Sequence, residues 1–214
     1  MLQSLINAVE ESLTTILFKK SLFITISIIF IYLFWKRRKE FIKDPILLLK
    51  YLICPIFWCL YIAASLDLVG FPPLSELKRY QKIGIGLFHP DISLIHGIIK
   101  DDILNIIFFI PLGFMLPLFW KGYRDIKKIS FLSFCFSLFL EISQLFNLYR
   151  WSEVNDLIMN TLGGLFGWYC FSWLHKKVKK IDSLLVVENE KLSEPIIFTL
   201  ICIVLEFLLA APLF

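Results

Sequence analysis

Six stretches of this chain are long, apolar and almost free of charge, and they leave few choices of fold. They run over about residues 16–35, 46–66, 103–120, 129–149, 157–174 and 195–214. Each comes near the ~20 residues that a helix needs to cross ~30 Å of hydrocarbon at ~1.5 Å per residue. Inside a bilayer the backbone N–H and C=O groups must be satisfied within their own segment, so each stretch is predicted to be an α-helix. The expectation is an all-α, polytopic membrane protein of about six transmembrane helices, forming a single membrane domain over 1–214. The first core is short, since only 21–35 is free of charge, and Lys19 and Lys20 would snorkel to the interface.

Composition agrees. The chain is 58% hydrophobic with 22 Phe, whereas a soluble domain is nearer half apolar even with glycine counted. Its net charge of +4 calls for no nucleic-acid partner; where the charges lie matters more. The first apolar core follows Glu10, Glu11, Lys19 and Lys20 and has no A-x-A-like site after it, so it reads as a span and not a cleaved leader. Cys54, Cys59, Cys135, Cys170 and Cys202 all lie in apolar stretches with no C-x-x-C, and read as small buried hydrophobes.

Lys and Arg set the orientation. The links KRRKEFIK (36–43), KGYRDIKK (121–128) and HKKVKK (175–180) hold 13 of the 22 basic residues. If the spans alternate, all three links fall on one side, which the positive-inside rule makes cytoplasmic. The links 67–102 and 150–156 then face outward, and both termini lie outside. The expected location is the bacterial cytoplasmic membrane, as a multi-pass protein in contact with membrane lipids. The oligomeric state is not readable from the sequence.

The polar residues of the apolar segments gather near the outer side. Ser133, Ser137, Glu141 and Gln144 are spaced by four, four and three, which places them on one helix face. Asp156, Asn160, Gly163, Gly164 and Gly167 form a similar stripe. Asp102 and Asn105 are three apart at the start of the third segment. At ~1.5 Å per residue Glu141 lies roughly 12 Å below the outer end of its segment and Gln144 about 7 Å below, while Asn105 and Asn160 lie only about 3–5 Å deep. A charged side chain facing lipid costs at least ~2.5–3.5 kcal/mol. The third, fourth and fifth segments are therefore expected to turn these faces toward one another, around a polar cavity open to the outside. Arg150, in the link at that level, is the natural partner for Glu141 or Asp156. The bland alternative is that these groups only tie three helices together. Gly163-x-x-x-Gly167 is a small-residue pattern for close helix approach. Pro111 should kink its helix or need another donor for Ile107, with Gly113 nearby to permit contact, and Pro55 should act likewise on Tyr51.

Three stretches carry a resemblance to a known family. DDILNIIFFIPLGFMLP (101–117), SLFLEISQLF (137–146) and RWSEVNDLIMNTLGGLFGW (150–168) together resemble, in order and spacing, the VanZ-like family of bacterial membrane proteins. They cover a core of about 100–170, leaving 16–35, 46–66 and 195–214 as accessory spans. The resemblance implies Asn105, Pro111, Gly113, Glu141, Gln144, Arg150, Asp156, Asn160, Gly163, Gly164 and Gly167 as family-type positions. GIGLFHPD (84–91) departs from the Asn-x-x-Pro-Phe-like stretch common before the third span. The family's namesake is associated with low-level resistance to the glycopeptide teicoplanin.

The expected function is a non-catalytic binder or modulator of cell-envelope lipid or of the response to glycopeptide antibiotics. Its binding residues would be Asp102, Asn105, Glu141, Gln144, Arg150, Asp156 and Asn160, and its ligand classes include a lipid-linked cell-wall precursor or the antibiotic itself. One alternative is an intramembrane enzyme on a lipid-linked substrate, with Glu141 as general base and Asp156 as its partner. Another is a small transporter, although no inverted repeat is visible and no polar stripe crosses the full membrane thickness. His89, Asp91 and His96 have ligand-like spacing, but two His and one Asp on a loop read as surface residues, so no metal and no cofactor are expected.

Overall fold

Every described element wide enough to span the apolar segments is a helix. The computed structural model of the protein describes residues 20–41, 45–71, 98–144, 154–178 and 193–209. Among these residues there are six α-helices and no strand. They are α1 (Lys20–Phe41), α2 (Pro45–Leu68), α3 (Ile98–Phe119), α4 (Ile126–Gln144), α5 (Val154–Lys177) and α6 (Glu194–Leu209), with a 3-10 turn at Lys121–Tyr123. The helices run past the apolar stretches because charge ends hydrocarbon character without ending a helix. Thus α3 starts at Ile98 and carries Asp101 and Asp102 near its N-terminus, while α5 has Asp156 in its first turn and His175, Lys176 and Lys177 in its last. Both placements suit the helix dipole. By length and composition α3 can cross a membrane over Asp102–Phe119, and Ile24–Lys36 and Ile53–Leu68 are shorter apolar stretches. α4 and α5 are long enough, but their apolar character is diluted by the Ser, Asn, Gly and Glu they bury.

The chain divides into two compact units. The first contains α1, α2 and α6. Ile29, Leu33, Cys54, Ile62, Leu66 and Phe198 are buried in it. Trp58 Nε1 donates to the Pro195 carbonyl at 3.2 Å and to Thr199 Oγ1 at 3.0 Å, which locks α2 against the first turn of α6. Lys36 Nζ donates to Glu194 Oε1 at 2.6 Å, joining the end of α1 to the start of α6. Burial works against the Lys36 charge, but the hydrogen bonds and attraction from Glu194 and Tyr32 outweigh it and raise its pKa above the usual lysine value. An apolar groove of about 420 Å³ runs beside Pro55 between α1 and α2, lined by Ile26, Phe30, Leu33, Ile56 and Cys59 among others. None of the five cysteines forms a disulfide; Cys54, Cys59 and Cys202 are buried, and Cys135 and Cys170 are half-buried.

The second unit contains α3, α4 and α5, and its contact pairs fix their directions. Along α3 and α5 the partners rise together: Asp102 with Asn155, Ile106 with Gly163, Ile110 with Gly167. These two helices are parallel. Along α4 and α5 they run in opposition, Ser133 with Gly164 and Ser137 with Asn160, so this pair is antiparallel. The turn from α3 into α4 is closed by Arg124, whose Nε donates to the Pro117 carbonyl at 3.3 Å, satisfying part of the α3 C-terminus. Trp168 Nε1 of α5 donates to the Arg124 carbonyl at 2.9 Å, and the guanidinium lies 5.4 Å from the Phe171 ring centre.

This unit is inverted in polarity. The buried face of α4 carries Ser133, Ser137, Glu141, Ser143 and Gln144, and that of α5 carries Asn160, Gly163, Gly164 and Gly167. The outward stripe of α5, by contrast, is Ile158, Leu162, Phe166, Tyr169 and Trp173, each 46–60% exposed. Phe131, Phe134, Leu138 and Ile142 make the matching outward stripe on α4.

Candidate binding site

Glycine makes the site possible by letting backbones meet. A Cβ on Gly113 would stand 2.9 Å from the Gly164 Cα and closer still to its carbonyl. One on Gly163 would stand 2.9 Å from the Ile106 Cα, and one on Gly167 2.9 Å from the Phe114 nitrogen. Carbon atoms in contact normally keep ~3.5–4.0 Å apart. With no side chain between them, α3 and α5 lie backbone to backbone. Pro111 stands half-buried on α3 between the Ile110 and Gly113 contacts, and the helix continues through it.

At the end where α3 and α5 begin and α4 finishes, polar side chains collect. Asp102 is buried and its Oδ1 accepts a hydrogen bond from Asn155 Nδ2. Glu141 and Gln144 on α4 are 5% and 6% exposed, and Asn160 on α5 is 5% exposed. Asn160 Nδ2 donates to Ser137 Oγ at 2.9 Å. Extending the α4–α5 register by one turn brings Glu141 level with Asp156, which is half-buried. Asn105 is half-buried on α3. Arg150 lies outside the described residues, as do His89, Asp91 and His96. No cluster of three or more His, Cys, Asp or Glu able to hold a metal occurs among the described residues.

Three buried oxygens on this seam have no hydrogen-bond partner: Ser133 Oγ, Gln144 Oε1 and Asn160 Oδ1. An unsatisfied buried polar atom costs about 1–3 kcal/mol, and native proteins pair nearly all of them. Two of the three are amide carbonyls, which only accept. They lie on the same helix faces as the Glu141 carboxylate, so the seam offers oxygen where a donor belongs. The basic residues Lys121, Arg124, Lys127, Lys128, Lys176 and Lys177 sit at the opposite end of the unit.

The family model described as VanZ/LLP1 matches residues 62–175, just over half of the chain. This chain belongs to the VanZ/LLP1 family. The matched region takes in α3, α4 and most of α5, and with them each residue of the polar seam. It begins at residue 62, well upstream of the three motifs near 101–168. Protein VanZ of Enterococcus faecium is 33% identical over 92 residues, which are 42% of this chain and 56% of that protein. The chain thus matches little more than half the length of this relative. No solved structure matches it significantly.

In this VanZ/LLP1 chain the sequence reading passed over Asn155, the partner of Asp102. The signal lies in helix direction. Two parallel helices whose N-terminal ends lie near one level bring the polar side chains of their first two turns together, here Asp102 of α3 and Asn155 of α5. It also passed over Arg124, whose side chain looks like one more basic link residue until Pro117, Trp168 and Phe171 are seen around it.

Proposed function

We propose that this chain is a six-span protein of the bacterial cytoplasmic membrane, with both termini outside. Its outer polar end binds a cell-envelope lipid or a glycopeptide of the teicoplanin type, without catalysing a reaction on it. The observation that carries this reading is the inverted polarity of the second unit. Ser133, Ser137, Glu141, Gln144 and Asn160 are enclosed while Phe131, Leu138, Ile158, Leu162, Phe166 and Trp173 face outward. In water such stripes would exceed the apolar patches that a monomer tolerates. In hydrocarbon they cost nothing, and each enclosed charge avoids at least ~2.5–3.5 kcal/mol. The alternating directions of α3, α4 and α5 suit a chain crossing to and fro. The basic residues at one end support a cytoplasmic assignment for it, which leaves the polar seam at the level of outer headgroups. Kinship with VanZ supports a part in the response to envelope-active antibiotics.

The test is the susceptibility of cells with and without the gene to teicoplanin, other glycopeptides and lipopeptides. Glu141→Ala and Arg150→Ala are each expected to abolish the difference at unchanged protein level in the membrane. An unchanged phenotype in both variants overturns the reading. The level placement of Glu141 and Asp156 favours one second reading, an intramembrane enzyme using the two carboxylates as base and partner. Turnover of a lipid-linked cell-wall precursor by the purified protein, lost in Glu141→Gln, would select it.

A further inference from the structure

A groove of about 550 Å³ lies on α4 and α5 toward the basic end of the second unit, lined by Lys127, Ser130, Phe131, Phe134, Thr161 and Leu165 among others. Its lining changes character along its length. Lys127, Ser130 and Phe134 are spaced by three and four, so they follow one another along one face of α4. At ~1.5 Å per residue the path from Lys127 to Phe134 rises about 10 Å. It starts at an exposed ammonium and a hydroxyl and ends among exposed Phe131 and Phe134 and half-buried Leu165. Thr161 donates its hydroxyl to the Leu157 carbonyl at 2.7 Å, within α5.

The charge at the mouth is positive. Between 121 and 130, Lys121, Arg124, Lys127 and Lys128 stand against Asp125. Lys128 Nζ donates to the Gly122 carbonyl at 2.8 Å, and Asp125 Oδ1 accepts from the Lys127 backbone nitrogen at 2.9 Å. The Lys127 ammonium has no ion-pair or hydrogen-bond partner among the described residues. The Pro55 groove of the first unit, by contrast, has no charged residue in its lining. An inorganic anion would use the ammonium and leave the phenylalanines bare, and a hydrocarbon chain alone would do the reverse. An anionic amphiphile satisfies both.

We infer that the α4–α5 groove seats an anionic glycerophospholipid of the inner leaflet. Lys127 Nζ and Ser130 Oγ donate to its phosphate oxygens, and an acyl chain lies against Phe131, Phe134 and Leu165. This inference rests on the membrane placement proposed above, but concerns the end of the unit opposite the polar seam.

The full chain is reconstituted in lipid discs containing equal phosphatidylglycerol and phosphatidylcholine with identical acyl chains. The lipids retained on the extracted protein are counted by mass spectrometry. Phosphatidylglycerol is expected to be retained over phosphatidylcholine by about fivefold. Lys127→Gln is expected to bring the ratio near unity with helical content unchanged. Lys121→Gln removes the same charge at the same end but outside the groove, and is expected to keep the preference. Inorganic phosphate at 10 mM, an order-of-magnitude excess over ~1 mM, is expected to displace none of the lipid. Equal retention of the two lipids by the unaltered protein, an equal loss in both lysine variants, or displacement by inorganic phosphate overturns the proposal.

The outcomes also separate the two readings. Phosphatidylglycerol preference in a protein whose Glu141→Ala variant keeps the antibiotic phenotype removes only the antibiotic role. Equal lipid retention with that phenotype lost in Glu141→Ala removes only the groove lipid.

Discussion

Gly113 and Gly164 meet backbone to backbone, so that a Cβ on Gly113 would fall 2.9 Å from the Gly164 Cα. The neighbour is main chain and cannot rotate away, so Gly113→Ala must push α3 and α5 apart. Overpacking of this kind costs about 1–3 kcal/mol. Equilibrium unfolding of the purified protein in mixed micelles should show that loss. Leu162→Ala, at a position 46% exposed, should stay within about 0.5 kcal/mol. At Gly164 the closest atoms belong to the Ser133 side chain. Gly164→Ala should therefore recover part of its loss when combined with Ser133→Gly, whereas Gly113→Ala should gain nothing from that change.

The bond from Asn160 to Ser137 invites a double-mutant cycle. Asn160→Ala and Ser137→Ala should each destabilise, and the two should be non-additive by about 0.6 kcal/mol, with ~1.7 kcal/mol as the upper bound seen for such pairs in membrane helices. Additive losses would mean that α4 and α5 do not use this contact.

The Lys36–Glu194 bridge makes a pH prediction whose sign follows from linkage. The raised pKa of Lys36 means the folded protein holds this proton more tightly than the unfolded chain, whose ordinary value is 10.5. The stabilisation is fully present below pH 10.5 and is lost as pH rises through the higher folded value. The difference in thermal midpoint between the wild type and Lys36→Met should stay flat from pH 7 to about 10 and shrink above that. A difference already gone by pH 9 would contradict the pairing. Exchanging the two residues, Lys36→Glu with Glu194→Lys, should restore much of what either single change loses.

Labelling settles orientation. In a background with the five cysteines replaced, Lys121→Cys and Lys177→Cys should react only after the cell is opened. Val154→Cys, at a position 60% exposed, should react in intact cells. The reverse pattern would place the polar seam at the cytosolic face and remove its access to outer headgroups.

Local spacing made some of this arrangement legible and hid the rest. The four-four-three spacing of Ser133, Ser137, Glu141 and Gln144 marks a shared face, and all four are buried together on α4. The glycines of α5 were legible as a packing surface for the same reason, since a helix fixes which residues share a side. The particular residue pairs between helices were not legible. Asp102 finds Asn155, and Lys36 finds Glu194, only because separate helices stop and start at matching levels. That matching depends on packing, which no periodicity encodes. α3 begins at Ile98, ahead of its apolar stretch, because hydropathy reports where oil ends, whereas Lys100, Asp101 and Asp102 continue the coil of the backbone.

The parallel pairing of α3 with α5 has a bearing on how the molecule is made. Two neighbours pointing the same way cannot be joined by a hairpin, so the chain must complete the whole of α4 before the glycine surfaces can meet. During synthesis α3 therefore leaves the ribosome with Asp102 and the bare backbone at Gly113 still waiting for a companion dozens of residues downstream. A nascent chain halted short of residue 154 would hold that surface open, the state that chaperones and quality-control proteases of the envelope are equipped to recognise.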